Sequence, residues 1–246
     1  MNIPFEIFKN YVIRFPAIKS AGKLLHKTGI GNDQTLIDSR VEFLYEKLLA
    51  FKACQIDAIA EVGPGKTSDL LVEVSKKFKS TYIVANDSED YFDDKFWMSK
   101  NIRFVKANQK NNFLQDNFFD FIYSYDVLEH VRNPNDFIMG IRRALKSRGI
   151  FFASWDLRDH FHLLNENLWF EMHQYDEKIW RLMTSNRSNY SNRLFVNDWK
   201  KIFEENNFEV IEFCTKHSKI ASDYFLKKNA TSIDDVYRVE AFLRAI

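Results

Sequence analysis

The chain has two cysteines, seven glycines and four prolines in 246 residues, and each scarcity excludes something. Cys54 and Cys214 stand far apart with no CxxC, which leaves neither a disulfide framework nor a thiolate zinc site. Lys and Arg number 35 against 34 Asp and Glu, a net charge of +1. That balance lacks the basic excess that duplex recognition draws on, so nucleic acid is not expected as a partner. No stretch approaches the roughly 20 apolar residues of a membrane span, and no short basic segment followed by an apolar run opens the chain. It is read as cytoplasmic, without stable membrane insertion. What abounds is aromatic: 24 Phe within a 16% aromatic, 46% hydrophobic composition, suited to one or two globular domains.

Residues 57 to 155 repeat one rhythm, a short apolar run closed by a polar or acidic residue and then a segment of helical spacing. This is the pattern of a parallel α/β sheet. Strands are predicted at 58–62, 81–85, 102–105, 119–125 and 149–155. Helices between them carry the stripes Leu70, Leu71, Val74, Phe78 and Phe137, Ile138, Ile141, Leu145. A helix over 196–205, a run over 208–213 and a closing strand over 236–243 complete the series.

Two segments break the rhythm. Residues 1–50 read as helices, with Phe5, Phe8, Val12 and Phe15 on one stripe and Leu36, Val41, Leu44 and Leu48 on another. Lys9, Arg14, Lys19 and Lys23 invite a membrane-surface reading, but Pro4, Glu6 and Pro16 interrupt the stripe, and an amphipathic face usually packs. A helical lid or a homodimer contact is the reading adopted. Residues 156–195 form a connection far longer than the usual 2 to 6 residues and are read as a substrate-covering cap.

Glu61, Val62, Gly63, Pro64, Gly65, Lys66, Thr67 follow the first strand and open a helix, where backbone comes close to a ligand. A phosphate-cradling P-loop would need Gly at position 60, which is Ala60, and Glu61 would oppose the anion. A nicotinamide fingerprint would need Gly at position 68, which is Ser68, though Asp87 lies at the spacing of a ribose-binding acid. A cationic cofactor that lacks phosphate uses Glu61 instead of tolerating it.

Three linked motifs then carry a resemblance: Glu61 to Gly65; Asp87 with Ser88; and Phe119, Asp120 through Asp126, Val127, Leu128, Glu129, His130, Val131. With Arg143 to Lys146 and Gly149, Ile150, the chain resembles the class I S-adenosylmethionine-dependent methyltransferases of the small-molecule (type 11) subgroup, over about residues 35 to 155. The resemblance implies S-adenosylmethionine as cofactor, with contacts from Glu61, Gly63, Gly65, Asp87, Ser88, Asn108, Gln109 and Tyr125. Thr67 stands where relatives have a third Gly, and Asn108 where they often have Asp. Trp180 through Tyr190, Ser191, Asn192, Arg193, Leu194 looks like methyltransferases of bacterial surface-glycan pathways.

Methyl transfer is in-line displacement, so positioning dominates, and a hydroxyl nucleophile also needs a base. His160 is the favoured base, with Asp159 its orienting partner and His130 a pocket-shaping alternative. His173, Tyr175, Arg187 and Arg193 are read as substrate-binding, the arginines suiting a phosphate. Asp156, Asp159 and the histidines do not have a spacing that specifies a metal. The reading is a Rossmann-like, seven-stranded, mostly parallel sheet with helices on both faces, an N-terminal helical segment (1–50) and a methyltransferase domain (51–246) with its cap at 156–195. It acts as an O-methyltransferase on a small hydrophilic molecule such as a glycan precursor. A nicotinamide or nucleotide enzyme on the same architecture, or an inactive partner subunit, are the alternatives.

Overall fold

The computed structural model describes residues 3–12, 34–51, 55–65, 68–87, 94–107, 114–185, 190–218 and 236–246. Seven strands, β1 (Ala58–Val62), β2 (Tyr82–Asp87), β3 (Arg103–Lys106), β4 (Phe119–Tyr125), β5 (Leu145–Asp156), β6 (Phe208–His217) and β7 (Val236–Ala245), form one sheet ordered β3-β2-β1-β4-β5-β7-β6. The first five are parallel, and β7 lies antiparallel between β5 and β6.

Consecutive residues of the central strands supply opposite faces, as the two-residue period of a strand dictates. Ile59, Phe121 and Phe152 pack with Leu44 and Leu48 of α2 (Gln34–Ala50) and Leu71 and Val74 of α3 (Asp69–Phe78). Ala60, Ile122 and Phe151 pack with Ile138 and Ile141 of α5 (Pro134–Ala144) and Trp199 and Phe203 of α7 (Val196–Glu205). Burial on both faces is why these strands read as mainly apolar runs. The short α4 (Asp94–Ser99) brings Trp97 against Phe104 of β3 at 5.3 Å between ring centroids.

Several boundaries differ from expectation for identifiable reasons. β5 begins at Leu145 because Arg148, with φ of 66°, lets the chain pair with Phe119 before the register shifts to Phe121 and Ile150. β6 and β7 run longer than their apolar cores because they pair with each other in antiparallel hydrogen bonding to their ends. In α1 (Ile3–Val12) the expected Phe5 and Phe8 face is the exposed one. Ile3 and Ile7 pack on the cap instead, while the buried Asn10 donates to the Leu182 carbonyl at 2.8 Å and to Ser185 Oγ at 3.0 Å. Those two polar bonds set the helix's rotation. In α2 the buried stripe is Ile37, Val41, Leu44 and Leu48, and Leu36 is exposed. Among the described residues no helix is long and apolar enough to cross a membrane.

The cap segment folds onto the sheet's C-terminal edge. Its helix α6 (Glu177–Thr184) and two short turns enclose Met172, Trp180 and Met183, with Phe161, Tyr175 and Tyr190 around them. Phe170 makes a second small cluster with Trp169, Phe195 and Tyr237.

Candidate functional site

The turn after β1 is built on two glycines with positive φ, 75° at Gly63 and 64° at Gly65. A Cβ on Gly63 would lie 2.3 Å from Val127 Cγ2, so only a residue without one passes beneath the β4 turn. A Cβ on Gly65 would meet no atom within 4 Å, so that side of the loop is open. The Gly63 amide donates to the Asn86 carbonyl at 2.8 Å, and the Gly65 amide donates to Asp87 Oδ2 at 3.1 Å. The turn is thus tied to the end of β2, at the C-terminal ends of parallel strands where ligands of this sheet type bind.

Glu61 is buried beneath this turn, and Tyr123 of the adjoining strand donates its hydroxyl to Glu61 Oε2 at 3.1 Å. Burial pushes the Glu61 carboxyl up to about 8, against the smaller lowering by the Tyr123 bond and Arg40, while Asp87 raises it further. Arg40 arrives from α2, its guanidinium carbon 4.2 Å from the centroid of the Tyr125 ring. The Tyr125 hydroxyl is buried without a hydrogen-bond partner, and burial raises its pKa above the ordinary value. Sequence reasoning missed Arg40. It sits beside the apolar stripe of α2, where a flanking arginine reads as a solvent-facing residue.

A second group lies at the ends of β4 and β5. The turn Leu128–His130 presents Glu129 and His130, and the chain leaving β5 presents His160, whose ring centroid is 4.7 Å from that of His130. Glu129 Oε1 accepts from the Asp156 amide at 3.1 Å, and His130 Nδ1 lies 2.5 Å from the Tyr190 carbonyl. Glu129 Oε2 and His160 Nε2 are buried without partners. Burial, then Asp126, pushes Glu129 up to about 8. Burial also lowers His130, and burial followed by the neighbouring His130 lowers His160 to about 4. Both imidazoles are therefore neutral at pH 7 and hold a lone pair.

The other expected site residues are differently employed. Asp159 does not orient His160: its carboxylate accepts from the Phe161 amide at 2.8 Å, and burial pushes it up to about 6 while His162 pulls the other way. His173 is stacked on Phe195 at 4.5 Å, and burial, then Arg193, lowers it to about 4. Tyr175 donates to Glu171 Oε1 at 3.1 Å. Arg193 donates to the Met172 carbonyl at 3.2 Å and the Tyr175 carbonyl at 2.6 Å, and pairs with Glu177, so its guanidinium braces the cap and is not presented to a phosphate. The stretch compared with glycan enzymes acts as a clamp: Trp180 Nε1 donates to the Ser191 carbonyl, and Asn192 Nδ2 to the Leu128 and Val131 carbonyls. Cys54, Lys66, Thr67, Ser88, Asn108, Gln109 and Arg187 lie outside the described residues. A cavity of about 220 Å³ is lined by Tyr82, Arg103 and Phe119, the first residues of their strands, and so opens at the opposite end of the sheet from this chemistry.

Residues 60–153 match a family described as a methyltransferase domain. No curated protein matches the sequence. Among solved structures, the chain is similar to a candidate sarcosine dimethylglycine methyltransferase from Galdieria sulphuraria, with a TM-score of 0.59 and 12% identity over 84% of this chain and 85% of that one. It is also similar to an S-adenosylmethionine-dependent methyltransferase from Mesorhizobium loti (TM-score 0.51, 14% identity, 85% and 99% coverage). A candidate methyltransferase from Bacillus halodurans aligns at 0.52 and 16% identity, over 81% and 97%. At these identities the structures establish a shared fold. Over residues 60–153 the domain match gives a methyltransferase domain, for which S-adenosylmethionine is the donor expected from the sequence. The glycine turn fits such a donor: its Gly65 side is open, and the acids Glu61 and Asp87 at the strand ends suit a cofactor with cationic groups and ribose hydroxyls.

Proposed function

We propose that the chain is an O-methyltransferase acting on a hydroxyl of a small hydrophilic acceptor, with a surface-glycan precursor or related phosphorylated metabolite as the substrate class. The bound donor supplies an electrophilic methyl group. Glu61, Gly63, Gly65, Asp87 and Tyr125 hold it at the ends of β1, β2 and β4. The acceptor hydroxyl meets the Glu129, His130 and His160 group, and the cap covers it. The single observation behind this reading is the neighbouring pair of imidazoles, 4.7 Å apart at the ends of β4 and β5, with His160 Nε2 buried and unpartnered. Positioning an oxygen there provides the alignment that displacement needs, and a neutral imidazole offers a lone pair to the hydroxyl proton. The glycan class rests on the stretch Trp180 to Leu194 alone.

The test separates donor from acceptor. Asp87→Ala should weaken binding of S-adenosylhomocysteine at least tenfold by calorimetry. His160→Ala should leave that affinity within twofold and reduce turnover of a hydroxylated acceptor by two or more orders of magnitude. Full turnover in His160→Ala would remove the assignment of the acceptor site.

A further inference from the structure

We propose that Glu129, His130 and His160 form a binding site for one divalent first-row transition metal ion, with open positions for water or an acceptor oxygen. One ligand atom from each residue can be chosen so that all three lie within 4.8 Å of one another. Bonds of about 2.1 Å at tetrahedral angles set ligand atoms roughly 3.4 Å apart, so small side-chain rotations close the set onto an ion. The three residues come from two chain segments. Glu129 and His130 sit on the turn after β4, and His160 on the segment after β5. The two strands pair in parallel up to Tyr125 and Ser154, which brings the segments side by side.

Two of the three donors are oriented by a partner that leaves the coordinating atom unused. Glu129 Oε1 is held by the Asp156 amide, and Oε2 is buried with no partner in a residue only 2% exposed. His130 Nδ1 donates to the Tyr190 carbonyl, which leaves its Nε2 as the atom with the lone pair. An N–H to carbonyl bond of this kind is the usual support of a metal-bound histidine. His160 Nε2 is buried and unpartnered.

The surrounding charges leave room for a cation. Asp156 is taken by Arg158, with hydrogen bonds at 2.9 Å, and Asp126 by Arg238 at 2.8 Å, whereas Glu129 has no arginine or lysine partner among the described residues. Two buried polar atoms of one cluster left without a hydrogen-bond partner are costly, and a cation answers both. Two imidazoles with one carboxylate select zinc, manganese, iron, cobalt or nickel over magnesium and calcium, which prefer all-oxygen shells. With the ion bound, His160 Nε2 is a ligand, and the ion takes over from the free imidazole by raising the acidity of the acceptor hydroxyl; that role rests on the proposed methyltransferase reading, and the site itself does not.

The test uses the full chain stripped of metal, titrated with Zn²⁺ and separately with Mn²⁺ by calorimetry, alongside titration with S-adenosylhomocysteine. One ion per chain at micromolar or tighter affinity is expected, weakened tenfold or more in both Glu129→Gln and His160→Gln, with S-adenosylhomocysteine affinity and the circular dichroism spectrum unchanged. Co²⁺ should add a visible absorption band that His160→Gln abolishes. Absence of stoichiometric binding at millimolar ion, or equal affinity in wild type and both variants, would overturn the site. Metal binding that survives when S-adenosylhomocysteine does not bind would uphold the site and remove the methyltransferase reading.

Discussion

Binding of the donor should release a proton, and the amount follows from Glu61. In the unliganded chain its carboxyl sits at about 8, raised by burial. At pH 7 it is therefore protonated in roughly nine molecules of ten. The amino group of S-adenosylhomocysteine favours the ionised carboxylate, so binding should draw the pKa down towards the ordinary carboxylate value near 4.5. Calorimetry in buffers of different ionisation enthalpy should then find about 0.9 proton released per ligand at pH 7. The linked effect on affinity has a definite sign. The free protein holds a proton that the complex gives up, so affinity should rise between pH 6 and pH 8, by about 50-fold, and level off above. At pH 7 the cost of ionising Glu61 is about 1.4 kcal/mol. Glu61→Gln cannot ionise, so its affinity should be flat over this range and fall furthest behind the wild type at pH 8. Arg40 offsets part of the burial, so Arg40→Ala should displace the rising limb to higher pH. A pH-independent wild-type affinity with no proton release would refute the placement of the donor's cationic end against Glu61.

The two glycines of the turn should fail differently. Gly63→Ala meets both a positive φ and a methyl contact at 2.3 Å, so it should cost ~2 kcal/mol or more in urea denaturation, whereas Gly65→Ala carries only the φ penalty of ~1 kcal/mol. Gly65→Ala should instead lose S-adenosylhomocysteine affinity, because its methyl group would enter the open side of the loop. His173, lowered to about 4 by burial and Arg193, contributes stability that is fully present above pH 6.5 and is lost as pH falls through 4, a change of roughly 3 kcal/mol. Urea denaturation at pH 7 and pH 4.5 should show His173→Phe losing less stability than the wild type over that interval; equal losses would contradict the buried neutral imidazole.

The sheet was legible because its central strands are buried on both faces, which leaves runs such as Ala58 to Val62 and Phe119 to Tyr125 as mainly apolar segments closed by Gly63 and Asp126. Helix α7 was legible for the complementary reason: Val196, Trp199 and Phe203 repeat at helical spacing. The face of α1 was not, because two long-range bonds from Asn10 decide it against the pull of Phe5 and Phe8. The placement of Glu61, Gly63, Gly65 and Asp87, the proposed donor residues, at or just past the ends of β1 and β2 was readable from local spacing, since the βα rhythm fixes those ends. The meeting of His130 with His160, 30 positions apart, depends on the parallel pairing of β4 with β5. The burial of Arg193's guanidinium among carbonyls depends on the path of the cap. Neither leaves a trace in residue spacing.

The proposed site is assembled in two halves by different means, and this explains why their perturbations should separate. The donor half is mostly backbone and carboxylate at the ends of β1 and β2, with the Gly63 amide on the Asn86 carbonyl and the Gly65 amide on Asp87. Its geometry follows from strand pairing that the whole sheet enforces. The Glu129 and His130 turn hangs instead from the cap: Asn192 donates its amide to the Glu129 carbonyl at 2.8 Å and its side chain to Leu128 and Val131, while the Tyr190 carbonyl holds the His130 ring. Asn192→Ala should therefore free the turn while leaving the strand ends intact. Because a displacement reaction is sensitive to a shift of an ångström in its nucleophile, turnover should fall at least tenfold with donor affinity within twofold of wild type. Equal losses of turnover and affinity would mean that the two halves move as one unit and that the cap acts on the donor as well.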